Sequence, residues 1–258
     1  MLKISIASTF YNDKKMLKIV MDSVLSQTYQ NIEHCITDGG SIDGSVELLK
    51  EYEEKYKQAG KVLKWISEKD KGLYDGTNKA FRMTTGDYCV FATDPYVNNR
   101  VIEFVVSFLE EKKCDYVYGG MYFQKDGKII RRWSGKPGNW KTGWMPADPT
   151  LFVRREVWMS HGPYDIMYKS AADYKFHLSL LMDKSLTSYP LMKKVVLFNA
   201  NGVSNEGIRG KWYSICESQK ILEEYHVKFA LFTNFCKTLR GLLAYIFVIH
   251  KKINLEEI

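Results

Sequence analysis

The 258-residue chain is 45% hydrophobic and 26% charged, the balance of a folded protein with one sizeable α/β domain or two small ones, and not of a disordered chain. Its formal charge of +7 suits an anionic partner, but the basic residues are scattered and no nucleic-acid motif accompanies them, which sets nucleic acid aside. Cys35, Cys89, Cys114, Cys216 and Cys236 form no CxxC pair and meet no His cluster, so free thiols in a reducing compartment are expected and structural zinc is not.

The opening run Met1-Leu2-Lys3-Ile4-Ser5-Ile6 turns polar by Tyr11, so residues 3–9 read as a buried strand and not as a secretory signal. Leu17, Val20, Met21, Val24 and Leu25 recur at helical spacing behind an Asn12-Asp13 cap. Residues 32–37 form a second strand, stopped by the turn-forming run Asp38-Gly39-Gly40-Ser41-Ile42-Asp43-Gly44. A helix follows with Val46, Leu49, Tyr52 and Tyr56 on one side and a Glu51/Lys55 pair outside. Residues 62–67 are a third strand, 72–82 a short helix, 88–92 a fourth strand leading into Thr93-Asp94-Pro95, and 101–109 another amphipathic helix. This alternation predicts a mostly parallel sheet with helices on both faces. Such sheets bind ligands at the carboxyl ends of their strands, which gathers residues 9–11, Asp38, residues 68–71 and Asp94 around one crevice.

The second half is less regular. Residues 115–123 and 128–132 read as strands around Lys125-Asp126-Gly127, and residues 133–149 as a long loop rich in Gly, Pro and Trp. Residues 151–154 return to strand character and 173–182 to a short helix. Trp133, Trp140 and Trp144 either stack on an acceptor sugar or fold back onto the core. Residues 229–236 and 241–249 are apolar, broken by Lys237 and Arg240 and followed by Lys251-Lys252. No stretch reaches the ~20 apolar residues of a spanning helix. The segment suits either a seat in an anionic membrane interface or packing against the domain or a second subunit. We therefore divide the chain into residues 1–225 and a C-terminal helical appendage, 226–258, and expect a cytoplasmic protein peripheral to the inner face of the membrane.

Several motifs follow one another in order: Ala7-Ser8-Thr9-Phe10-Tyr11-Asn12, Asp38-Gly39-Gly40-Ser41-Ile42-Asp43-Gly44, Ser67-Glu68-Lys69-Asp70-Lys71-Gly72-Leu73-Tyr74-Asp75, Asn78-Lys79 and Gly86-Asp87-Tyr88. With Met145-Pro146-Ala147-Asp148-Pro149 and Ala171-Ala172-Asp173-Tyr174 they resemble glycosyltransferase family 2, of the GT-A fold, in its bacterial surface-polysaccharide subgroup. The resemblance spans roughly the first four-fifths of the chain. It implies an inverting glycosyltransferase with a nucleotide-sugar donor and a glycan or lipid-linked acceptor. Thr9, Tyr11 and Asp38 would hold the nucleoside, Lys71 would lie near the base or diphosphate, and Asp94 would bind ribose or a divalent metal, Mg²⁺ or Mn²⁺. Asp173 would be the general base. By position alone Asp173 also suits an N-cap of residues 174–182.

One departure stands out. The family carries adjacent or near-adjacent carboxylates where this chain has Thr93-Asp94-Pro95, so only Asp94 remains for a metal. The resemblance also puts a His where Asp148 stands; Asp148 either replaces the missing charge or is a turn acid before Pro149. The alternative function is a catalytically impaired relative that binds nucleotide-sugar or glycan as a partner subunit.

Overall fold

In the computed structural model, which describes residues 1–200, 207–246 and 253–254, β1 (Ile4–Phe10) is buried along its whole length. It lies between β2 (Ile32–Asp38), also fully buried, and β4 (Tyr88–Phe91), and runs parallel to both. β3 (Val62–Ser67) closes this side of the sheet, parallel to β2. Near-continuous apolar runs are what a parallel strand covered on both faces requires. Alternation decides the layers: Ile4, Ile6 and Phe10 join one apolar cluster and Ala7 the other. α1 (Lys14–Leu25), α2 (Ser45–Gln58) and α4 (Val101–Lys112) fill the first cluster. α3 (Leu73–Arg82) belongs to the second. Asp13 caps α1 by accepting from the Met16 N–H at 3.1 Å, as its position suggests.

Beyond β4 the sheet changes direction. β7 (Leu151–Arg154) is antiparallel to β4 and to β5 (Tyr116–Lys125), and β6 (Lys128–Trp133) is antiparallel to β5. The strand order is β3-β2-β1-β4-β7-β5-β6-β9, where β9 is Ile253–Asn254. The long β8 (Ser188–Asn199) lies parallel to β5 with two register shifts. The expected α/β architecture holds, and β8 was not anticipated; Pro190 and Lys193-Lys194 interrupt its apolar alternation.

α5 (Arg155–His161), α6 (Ala172–Met182) and α7 (Gly207–Glu224) complete the second layer. α8 (Ala230–Ile246) then folds back beside α7, where Asn234 Nδ2 donates to the Ile215 carbonyl at 3.0 Å. It also docks on the 133–149 segment: Thr233 Oγ1 donates to the Lys141 carbonyl at 2.9 Å and Arg240 Nε to that of Thr142 at 2.7 Å. Gly143 makes this approach possible. Its φ is +73°, and a Cβ there would collide with the Lys237 backbone nitrogen. The opposite side of α8 exposes Leu231, Phe232, Phe235 and Leu242. No helix among the described residues is long and apolar enough to cross a membrane. Ile249 and Lys251-Lys252, part of the basic-apolar tail read from sequence, lie outside the described residues.

Candidate active site

The carboxyl ends of β1 and β2 open on one crevice. Thr9 is buried near the end of β1, and Tyr11, just past it, is 65% exposed. Asp38 is the last residue of β2 and is fully buried. Its Oδ2 accepts from the N–H groups of Gly40 and Ser41, at 3.2 and 3.0 Å, and from Ser67 Oγ at 2.6 Å. Its Oδ1 has no partner among the described residues. A buried carboxylate oxygen without a donor is costly unless a ligand supplies one.

Glycines bring the rest of the crevice close. A Cβ on Gly39 would sit 2.7 Å from Asp70 Oδ2 and 3.3 Å from the Tyr11 ring. A Cβ on Gly76, inside α3, would collide with Thr9 Oγ1. Thr9, Tyr11 and Asp38 are therefore neighbours, and Asp70 joins them. Lys71 lies on the same loop; its N–H donates to Asp75 Oδ2 at 3.0 Å, while its side chain is exposed and its ammonium has no described partner. Lys79 is tied into the wall instead, to Glu68 at 2.8 Å and Asp75 at 3.7 Å.

Asp94 follows β4 and is buried, with Oδ1 accepting from the Asn199 N–H at 2.8 Å. Burial pushes its carboxyl up to about 6 against the pull of these hydrogen bonds. Among the described residues no group of three His, Cys, Asp or Glu side chains could hold a metal. Asp148 does not supply the missing acid: its Oδ1 is taken by His177 Nε2 at 2.7 Å and Tyr164 O–H at 3.0 Å. One buried carboxylate fits a divalent ion carried mainly by diphosphate oxygens and water, and does not fit a cage built from protein alone.

The third group surrounds a cavity of about 260 Å³ lined by Asp148, Asp173, Tyr174, His177, Ser214 and Lys237, among others. Asp173 is in the first turn of α6, whose N-cap is Ala171, so the capping alternative fails. Its Oδ1 accepts from the Tyr174 N–H at 2.8 Å and from Tyr74 O–H at 2.9 Å. Burial and the Asp148 charge raise the Asp173 carboxyl above the usual carboxylate range, while His177 and Tyr74 oppose them. His177 is raised in turn: burial works against its cation, but Asp148 and Asp173 prevail. Tyr74 belongs to α3, the helix that also walls the crevice at the ends of β1 and β2. Four residues on, Asn78 makes reciprocal 2.8 Å hydrogen bonds with the Tyr164 backbone.

Sequence reasoning did not single out Tyr74, Asn78, His177 or Lys237 for this site. Of the two readings of the tryptophans, folding back onto the core holds for Trp144, buried against Tyr118 with ring centroids 5.3 Å apart, while Trp133 and Trp140 pack on the core and stay partly exposed.

A family description, Glycosyl transferase family 2, matches residues 5–173. A Mycobacterium bovis protein named PGL/p-HBAD biosynthesis glycosyltransferase is 25% identical over 200 residues, 75% of this chain and 76% of that protein. S. aureus TarS superposes with a TM-score of 0.65 at 17% identity, over 86% of this chain and 39% of that one. Its 1–349 fragment in complex with UDP-GlcNAc gives a TM-score of 0.65 at 15% identity, over 86% of this chain and 67% of the fragment. The Pyrobaculum calidifontis mannosyltransferase PcManGT, in complex with GDP-Man and Mn²⁺, gives a TM-score of 0.60 at 16% identity, over 93% and 64% of the two chains.

Proposed function

This chain belongs to glycosyl transferase family 2, and we propose that it is an inverting enzyme that moves a sugar from a nucleotide diphosphate to an acceptor hydroxyl in surface-polysaccharide assembly. Membership carries the glycosyltransferase activity and the nucleotide-sugar donor. The inverting course, the acceptor and the residue roles are our reading. The observation that supports it most is Asp173, a carboxylate in a cavity, hydrogen-bonded through Tyr74 to the helix that walls the donor-side crevice.

In this reading Thr9, Tyr11 and Asp38 hold the nucleoside, with the unpartnered Asp38 Oδ1 accepting from an imide N–H such as that of uracil. Lys71, on the crevice loop with a free ammonium, balances diphosphate charge. The acceptor hydroxyl binds in the cavity and gives its proton to Asp173 as its oxygen bonds to the anomeric carbon. The bond from that carbon to the diphosphate breaks in the same displacement, so configuration inverts and no covalent enzyme intermediate forms. Asp94 would be the protein ligand of a divalent metal, which when bound neutralises charge developing on the leaving diphosphate. The exposed apolar side of α8, in the 226–258 appendage, would rest on an anionic membrane surface and bring a lipid-linked acceptor within reach.

A screen of UDP-, GDP- and dTDP-sugars for donor hydrolysis, with and without Mn²⁺, tests the activity, and proton NMR of the freshly released sugar tests its course. An α-configured donor should release the β-sugar first. Release of the α-sugar would overturn the inverting mechanism. Donor binding without turnover on any acceptor would favour a sugar-nucleotide-binding subunit instead.

A further inference from the structure

Lys237 comes from α8, beyond the residues the family description matches, yet it lines the cavity that holds Asp173. Two neighbours fix it. Nζ donates to Ser218 Oγ at 2.8 Å, and Ser218, itself fully buried on α7, donates its own O–H to the Ser214 carbonyl at 2.7 Å. The same Nζ stands 4.6 Å from the centre of the Tyr174 ring, the residue after Asp173. The backbone nitrogen of Lys237 is seated against Gly143, where no side chain fits. Among the described residues Lys237 pairs with no carboxylate directly. A buried ammonium without an ion pair is expensive, and burial lowers its proton affinity while the Asp173 charge restores part of it.

The other charged groups near the cavity have partners of their own: the buried Glu217 of α7, beside Ser218, accepts from the Lys169 and Ser170 N–H groups at 2.8 Å each. Asp148, from the turn before β7, is ion-paired to His177 on α6. Tyr74 from α3 donates a neutral hydrogen bond, and Tyr164 is committed to Asp148. Ser214 and Ser218 of α7 carry no charge. Among the lysines and arginines, Lys237 alone is in the lining of the cavity that Asp173 shares. We propose that Lys237 is a positioning residue: its fixed ammonium keeps the Asp173 carboxylate charged and ready to take the acceptor proton.

The proposal rests on Asp173 being the general base, and donor hydrolysis, in which water is the acceptor, tests both without knowledge of the natural acceptor. The rate is followed from pH 5 to 9 in wild type, Lys237→Met, Lys237→Arg, Gly143→Ala and Asp173→Asn, with melting temperatures alongside. Lys237→Met keeps the stem and removes the charge. A carboxylate that loses an opposite charge holds its proton more tightly, so the acidic limb should move to higher pH. Above the limb, the rate should stay near wild type. Lys237→Arg should return the limb toward wild type, and Gly143→Ala, which pushes α8 away with the lysine intact, should shift it in the Met direction. His177 lines the same cavity and also loses a neighbouring positive charge in Lys237→Met, so the shift is measured again in a His177→Gln background, where a limb that still moves belongs to Asp173 and one that no longer moves overturns the proposal. An unmoved limb in Lys237→Met overturns the proposal, as does a loss equal at every pH, which would mark Lys237 as merely structural. If Asp173→Asn hydrolyses donor at the wild-type rate with the same limb, the base assignment itself fails, a different result from either.

Discussion

Replacing Asp38 by Asn separates recognition of the base from support of the loop. In the native arrangement Oδ2 takes three donors, Gly40 N–H, Ser41 N–H and Ser67 O–H, while Oδ1 takes none. Asn keeps one carbonyl oxygen. Three donors at one position will hold that oxygen where Oδ2 is, and Nδ2 must then occupy the place of Oδ1. The loop keeps its hydrogen bonds, but the crevice now presents a donor where the base N–H needs an acceptor. Losing a hydrogen bond to a charged group costs about 1.5–3 kcal/mol, or roughly 10- to 150-fold in affinity. Asp38→Ala would instead remove the shared acceptor of three part-buried donors, which water can only partly replace, and lower the melting temperature as well. Isothermal titration with UDP should therefore show weakened binding in a well-folded Asn variant. Unchanged UDP affinity in Asp38→Asn would leave the residue a loop staple and remove it from the nucleotide site.

Three further outcomes are expected. Asp173→Asn keeps the Oδ1 contacts with Tyr74 and Tyr174 but cannot accept a proton, so kcat should fall by about 10²–10⁴-fold while donor affinity holds; near-normal transfer would refute the base role. Asp94→Ala should abolish any tightening of UDP binding by Mn²⁺, measured by titration with metal or EDTA, and wild-type turnover that ignores EDTA would show that no metal is needed. Replacing Leu231, Phe232 and Phe235 together by Ser should move the protein from pellet to supernatant with phosphatidylglycerol-rich vesicles at unchanged melting temperature; a wild-type protein that never pellets ends the membrane reading.

The crevice at the ends of β1 and β2 was legible because its signals are local. Asp38 ends an apolar run and begins a Gly-rich turn, and period and caps place the first four strands within a residue or two. The Asp173 cavity was not, because its contacts are between distant segments: Tyr74 meets Asp173 across 99 positions. Neither residue carries a local pattern that announces the other. Lys237 reads in sequence as a break in an apolar run, and only the return of α8 over Gly143 gives it a role. Trp144 stayed open between two readings for a related reason, since an aromatic in a Gly- and Pro-rich segment looks the same whether it ends on the core or in solvent.

α3 has a consequence for recombining relatives. Within one turn and a half of helix it meets the donor crevice through Gly76, the cavity through Tyr74, and the 164 backbone through Asn78. Helical rise sets those spacings at about 1.5 Å per residue, so none can be adjusted alone. A chimera that exchanges the first three strands with those of another enzyme, to change the donor, crosses this helix wherever the junction falls near it. A junction that leaves Tyr74 and Asn78 with the parent supplying residues 164–177 preserves the lattice of hydrogen bonds; one placed after Arg82 imports a foreign ruler and misaligns the crevice with the Asp173 cavity even when every side chain on either side is intact.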